Sequence, residues 1–255
     1  MSARSASADI VVAGAGHNSL ITAAYLSKAG HRCLVLDARP VPGGGVASEE
    51  LLLPGFKLDS CSTGHTLIQT NPVLADDELG LIAEHGLAYI EPDPVAHVVF
   101  PDGESLTMWL DLERTCEEIA RFSAVDAQAY RRLLAEYDAV KDVFSRQRFT
   151  PVGLGPNFDE LLEGREGAAR WRRRAAMSAW HVVRQEFQSR HVRAFMLWMA
   201  FLDRAARRLG GFGAVGLLDR LLASASQLDN SARWLGRTRP RTGCRHRGPW
   251  WRDPL

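Results

Sequence analysis

The stretch Asp9–Gly45, DIVVAGAGHNSLITAAYLSKAGHRCLVLDARPVPGGG, decides the fold. Asp9–Ala13 is a short β-branched run that leads into Gly14-Ala15-Gly16 and then an alanine-rich apolar stretch reaching Gly30. A second apolar run, Cys33–Leu36, stops at Asp37, 21 residues after Gly16. The order is strand, glycine turn, helix, strand, ending on an acid. That is the βαβ dinucleotide fingerprint, in which the first glycine makes the tight turn and the second lets a pyrophosphate approach the backbone. The helix N-terminus faces the anion, and the acid takes a ribose hydroxyl. Ser19 stands where the pattern has its third glycine. A Gly-x-Gly alone is weak evidence, because glycine turns between strands and helices are common for steric reasons. Here it comes with Asp37 ending the second strand, and with Arg39 and Gly43-Gly44-Gly45 directly after.

Working outward, 255 residues with 46% hydrophobic content have room for one large domain or two small ones around a buried core. The net charge of +1 hides an asymmetry: residues 1–202 hold 20 Lys+Arg against 26 Asp+Glu, and residues 203–255 hold 11 against 4. An acidic body gives no reason to expect nucleic acid as a partner. The four cysteines, Cys33, Cys61, Cys116 and Cys244, are widely spaced and form no zinc-ligand pattern, so neither a metal nor a disulfide framework is expected. The N-terminal residues lack a signal-peptide core, and the longest strongly apolar run, Ala194–Leu202, is far short of the roughly 20 residues that span a bilayer. The expected location is the cytoplasm.

The span Asp9–Glu50, with GAGHNSL, LVLDARP and the following GGG, resembles the FAD-binding start of the phytoene-dehydrogenase-like flavoprotein oxidoreductases, which share the amine-oxidase type of FAD domain. The resemblance implies an α/β fold: a Rossmann-like FAD-binding domain of glutathione-reductase-like type, with an inserted α+β substrate domain, incomplete at the C-terminus. It favours FAD over NAD(P), because in that family an acid, then Arg, then a Gly-Gly pair follow the second strand. It places Gly14, Ala15, Gly16, Asn18 and Ser19 at the pyrophosphate and Asp37 on the adenosine ribose. Ala38, Arg39, Gly43 and Gly44 would run along the rest of the cofactor. The family's usual Glu is Asp37 here, one methylene shorter. In this family flavin takes two electrons, formally a hydride, from a substrate C–H bond, so no catalytic triad is expected.

The loop Leu58–His65 follows, and the resemblance lays it near the flavin. His65 is the candidate acid/base or substrate contact, set against a plain hydrogen-bonding role. Cys61 is set as a flavin-linked nucleophile against a small buried thiol, and with no partner cysteine nearby the buried thiol is the expectation. From about Asn71 the texture changes. Ala96–Phe100 and Leu106–Trp109 flank Asp102-Gly103 as a β-hairpin, Asp111 caps a helix near Leu112–Arg121, and the spacing of Tyr130, Leu133, Tyr137, Val140 and Phe144 predicts one helix over Ala127–Phe144. Gly153–Asn157 breaks the chain before a helical remainder ending at Leu202. In it Met177, Trp180, Val183 and Phe187 form a stripe, and Val192 with Phe195–Phe201 is apolar nearly all round. These surfaces read as core, or as the lining of a cleft for a small hydrophobic substrate with peripheral membrane contact. Arg170–Arg174 reads as a solvated face or as a site for an anion. The domain expectation is therefore a FAD-binding segment over 1–75, a substrate domain over 76–202 and an atypical arginine-rich segment over 203–255.

That last segment has no clear period. It reads as an arginine-rich binding tail, as disorder, or as the product of a changed reading frame. Tryptophan has one codon, so a frame displaced by one base reads Gly at Trp234, Trp250 and Trp251. With GC-rich codons, Asp203–Trp251 can then spell WTTPRGGSGALARAL and IEARGG, which resemble the same family. The expectation is a frame change near Leu202 or Asp203 and a half-built cofactor site. The runner-up reading is a non-catalytic dinucleotide-binding remnant or interaction protein with a basic tail.

Overall fold

The computed structural model describes residues 7–62, 64, 65 and 67–201. The chain divides after Ile90 into two compact units. In the first, β1 (Ile10–Ala13) and β2 (Cys33–Leu36) pair in parallel, Ile10 opposite Cys33 and Ala13 opposite Leu36, with α1 (His17–Lys28) as the crossover. β-Branched residues favour the extended β1, and the alanine- and leucine-rich stretch suits a helix. α1 stops where Gly30 takes φ +96°. The Gly30 N–H then donates to the Ser27 carbonyl at 3.0 Å and the His31 N–H to the Leu26 carbonyl at 3.1 Å, the two bonds of a Schellman cap.

The strand starts are braced by Arg32, whose guanidinium meets Asp9 at 2.7 Å. Two short strands, β3 (Ser48–Glu49) and β4 (Leu58–Asp59), pair antiparallel, and after a 3₁₀ turn α2 (Pro72–Ala75) is capped by Asn71. The change of texture near Asn71 is not where this unit ends. Tyr25 donates its phenol proton to the Glu78 carboxylate and Lys28 Nζ donates to the Glu78 carbonyl at 2.5 Å, so α1 holds the segment beyond residue 75. One face of the β1–β2 pair stays open: Val11 is 60% exposed and Leu36 53%.

In the second unit β5 (Ala96–Val99) and β6 (Ser105–Met108) form the expected hairpin, with Gly103 at φ +86° in its turn. Asp111 accepts from the Arg114 N–H at 2.8 Å and starts α3 (Leu112–Ala120). The single helix expected over Ala127–Phe144 is two, α4 (Ala124–Asp138) and α5 (Lys141–Phe149). At the break the Val140 N–H turns to the Tyr137 carbonyl (2.8 Å), while Arg165 reaches the Ala139 carbonyl and forms a two-pronged pair with Asp142. Periodicity missed this because Tyr137, Val140 and Phe144 stay buried on both sides of the break.

Four more helices follow among the described residues: α6 (Phe158–Leu161) behind an Asn157/Glu160 capping box, α7 (Ala168–Ala175), α8 (Ala179–Glu186) and α9 (Arg190–Phe201). Ser178 caps α8, so its buried face is Ala179, Val182 and Val183. Trp180, expected in that stripe, lies 52% exposed under the Arg184 guanidinium. α9 is amphipathic and not apolar all round: Val192, Phe195, Met196 and Met199 are buried and Trp198 is exposed. The arginine run over residues 170–174 is mostly engaged within the unit. Arg174 is buried and bridges Glu136 and Glu186 at 2.7 Å each, Arg170 also meets Glu136, and Arg172 meets Asp159. No helix among the described residues is long and apolar enough to cross a membrane. The frame-change expectation and Cys244 lie outside the described residues.

The least replaceable polar group of this unit is Asp126, fully buried in the first turn of α4. Its two oxygens accept from the Gln188 N–H (2.7 Å) and the Ser189 N–H (2.8 Å), capping the entry to α9 across 62 residues of chain. Removing it orphans two donors. Asp126→Ala is expected to destabilise this unit by about 3 kcal/mol, read as a lowered midpoint in urea unfolding followed by circular dichroism.

Candidate functional site

The site is assembled by backbone groups around Ala15, which is 7% exposed. Gly14 adopts φ +97°, open to glycine and strained for other residues, and its N–H donates to the Leu36 carbonyl at 2.6 Å, tying the turn to the end of β2. The Ala15 N–H donates to Asp37 Oδ2 at 2.6 Å, and the Ala15 carbonyl accepts from the Gly43 N–H at 2.7 Å. The Gly43 carbonyl in turn accepts from the His17 N–H at 3.2 Å, so Gly16 and Gly43 form a parallel bridge. A Cβ on Gly44 would stand 3.0 Å from Gly16 Cα, and one on Gly43 would stand 2.2 Å from the Val46 carbonyl oxygen. A side chain is excluded at Gly44 because that residue lies against the first turn, and at Gly43 by the Val46 carbonyl of its own loop.

The opposite holds at Gly14 and Gly16, where a Cβ would meet nothing within 4 Å. Space is therefore open beside the start of α1. That helix begins on Gly16, which has no side chain to cap the first turn, and no acid lies there. Its N-terminus keeps the partial positive charge that attracts an anion. Asn18 and Ser19 occupy this first turn. Asp37 also accepts from the Arg39 N–H at 2.8 Å, and these backbone donors, Arg39 first and Ala15 second, hold its carboxyl below the usual carboxylate range. Arg39 Nη1 reaches the Gly44 carbonyl at 3.5 Å and Nε lies 3.8 Å from Asp37. Gly14, Ala15, Gly16, Asp37, Arg39, Gly43 and Gly44 are thus brought together, with Asn18 and Ser19 at the same helix end and Ala38 between Asp37 and Arg39.

Among the described residues, no hydrogen bond joins His65 to this cluster. Its Nε2 pairs with Ser62 Oγ at 2.7 Å and its Nδ1 faces the Tyr89 hydroxyl at 3.4 Å. Burial pushes the Tyr89 phenol up, whereas Cys61 of the same loop, expected to be buried, is exposed. Sequence reading missed both partners of His65, and only the Ser62-x-x-His65 spacing signalled one of them. It also missed that the second glycine loop bonds to the first through Ala15 and His17.

Residues 12–76 match the NAD(P)-binding Rossmann-like domain family. A limonene dehydrogenase subunit of Castellaniella defragrans is 39% identical over 136 residues, which are 53% of this chain and 24% of that protein. Phytoene dehydrogenase of Streptomyces griseus is 34% identical over 160 residues, 60% of this chain and 29% of that protein. Hydroxyneurosporene desaturase of Cereibacter sphaeroides is 28% identical over 225 residues, 86% of this chain and 43% of that protein.

The N-terminal part of this chain is phytoene-dehydrogenase-like. The chain spans less than half the length of each of these three relatives. The match to the desaturase covers more of it than residues 1–202 can supply, so that match runs into the arginine-rich segment, which a frame change near residue 203 does not anticipate. The matched domain and the glycine geometry agree on a Rossmann-type dinucleotide site.

Two outcomes follow from this geometry. Gly43→Ala drives a Cβ into the Val46 carbonyl at a φ of +122°, and should cost about 1–3 kcal/mol, read as a lower melting temperature. Acid should loosen this unit. Asp9, held down to about 2 by Arg32, and Asp37, held down by Arg39 and Ala15, stabilise the fold while ionised in it. A carboxylate depressed in the folded state contributes above its unfolded value, near 4, and that contribution is lost as pH falls through the folded value. Thermal melts should therefore be flat above about pH 5 and decline between about pH 4 and 2.

Proposed function

We propose that this chain provides the dinucleotide-binding part of a FAD-dependent oxidoreductase that removes two electrons, as a hydride, from a C–H bond of a small hydrophobic substrate. The observation that carries the reading is the paired glycine cradle: open space beside Gly14 and Gly16 at an uncapped helix N-terminus, walled by the Gly43-Gly44 loop. A diphosphate fits that space and that charge. Bound FAD would supply the two-electron acceptor, which no side chain offers.

The chain's own residues bind and orient. Gly14, Ala15, Gly16, Asn18 and Ser19 would hold the pyrophosphate, Asp37 and Ala38 would take the adenosine side, and Arg39, Gly43 and Gly44 would take the remainder. Arg39 is the cation of this cluster, positioned by Asp37 and the Gly44 carbonyl to offset diphosphate charge. The names of these relatives, dehydrogenases and a desaturase, support the reaction type. The second unit, hairpin plus helices, is assigned to the substrate, and its exposed Trp180 and Trp198 are assigned to a membrane interface. His65, between Ser62 and Tyr89, is kept as the acid/base candidate. The open apolar face at Val11 and Leu36 supports an incomplete FAD domain, since parallel sheets are normally covered on both faces.

The test is ligand-induced stabilisation of the purified chain. FAD should raise the melting temperature and NADH should not; Arg39→Ala should weaken FAD about tenfold. Stabilisation by NADH alone would replace FAD with a nicotinamide cofactor, and stabilisation by neither would remove the dinucleotide assignment.

A further inference from the structure

The link between α5 and α6 carries two aliphatic side chains with nothing over them. Residues 151–157 are all exposed, and Val152 (104%) and Leu154 (81%) stand fully in solvent. Their backbone is nevertheless fixed. The Leu154 N–H donates to the Pro151 carbonyl at 3.0 Å, closing a turn in which Gly153 takes φ +80°. At the base a Cβ on Gly155 would stand 2.6 Å from Thr150 Cγ2, so the chain returns against the residue from which the turn departs, and Thr150 Oγ1 donates to the Arg146 carbonyl at 2.6 Å. Asn157 and Glu160 then start α6 with their capping box. A turn held in this way loses little backbone entropy when its tip is buried.

Charge is distributed unevenly around it. Arg146 and Arg148 occupy the last turn of α5, at the root of the tip. Arg146 is exposed and meets no carboxylate among the described residues, and Arg148 lies over the Phe149 ring, 5.9 Å from its centre. The acids of α5 and α6 are each engaged within the unit: Asp142 with Arg165, Asp159 with Arg172, and Glu160 with the Asn157 N–H. What projects is an apolar tip above a cationic root. A stable protein partner needs about 20–30 residues a side, far more than Pro151–Leu154 offers. A bilayer needs only aliphatic groups that pass the headgroups and cations that stay among the phosphates. The exposed apolar turn of the first unit, Leu51–Phe56, lacks that charge, since Glu49 and Glu50 precede it and Lys57 alone follows.

We propose that the Pro151–Leu154 turn is a lipid anchor: Val152 and Leu154 enter the acyl boundary of a bilayer while Arg146 and Arg148 meet anionic headgroups. This rests on the membrane-interface reading above and adds to Trp180 and Trp198 a contact that inserts.

The experiment is co-sedimentation of the full chain with vesicles of phosphatidylcholine alone and of phosphatidylcholine mixed equally with phosphatidylglycerol, beside melting temperatures and light scattering without lipid. Residues 203–255 are rich in arginine, so each variant is read as a ratio to the wild type in the same salt. Val152→Ser combined with Leu154→Ser should melt like the wild type, both side chains being exposed, and bind the mixed vesicles about thirtyfold more weakly. Arg146→Gln should weaken that binding about fivefold at low salt, with the deficit shrinking as salt is raised. If the Val152→Ser, Leu154→Ser variant binds as the wild type does, the inference is overturned. Loss in Trp180→Ser combined with Trp198→Ser would then leave the membrane reading standing on those rings, and loss in Leu52→Ser combined with Phe56→Ser would move the contact to the first unit. A wild type that binds neither vesicle ends the membrane reading and the anchor together. A wild-type dimer that the Val152→Ser, Leu154→Ser variant dissolves would make the turn a contact between copies of this chain and remove the lipid assignment.

Discussion

The peptide groups flanking Ala15 are the constraint on which the site depends. Its N–H is held by the Asp37 carboxylate at the end of β2, and its carbonyl holds the Gly43 N–H of the loop beyond. The glycine turn, the end of β2 and the loop six residues beyond it meet at that one buried residue. The Gly16–Gly43 bridge follows from these bonds, and α1 starts beside it on a glycine that brings no side-chain cap. What remains open is a small space at a helix N-terminus, bordered by an arginine, and such a space favours an anion with two phosphates.

The second unit is built on a different principle. Its core is apolar and packed through short helices, and its polar anchors are few but buried: Asp126 gathers the entry to α9, and Arg174 joins α4 to α8 through Glu136 and Glu186. Buried charges of this kind are tolerated where every oxygen and every guanidinium edge finds a partner. One arginine of a run that looks like a surface for anions, Arg174, is thereby drawn into the interior, its charge answered by glutamates that lie 12 and 38 residues away, while Arg170 and Arg172 pair at the surface.

Much of the first unit was legible because its signals are local. The β-branched run, the glycines, the alanine-rich helix and the terminal Asp37 each act through neighbours along the chain, and β1, α1 and β2 fall where they point. Caps were legible for the same reason, as at Asp111. The break between α4 and α5 was not, because the hydrophobic face runs through it and the residue that reaches the broken turn, Arg165, is remote in sequence. Trp180 lies off the buried face because one capping serine sets the phase of α8, and hydrophobic spacing alone does not carry that phase.

By itself the sequence determined that this protein contains a βαβ unit carrying a dinucleotide turn, since those preferences are written in adjacent residues and need no distant contact. Only the tertiary structure decided which way the Asp37 carboxylate faces, that the second glycine loop closes on the first, and that His65 meets Tyr89. Hydrogen bonds between segments 20 or more residues apart are chosen by how the chain packs, and no local pattern encodes that choice.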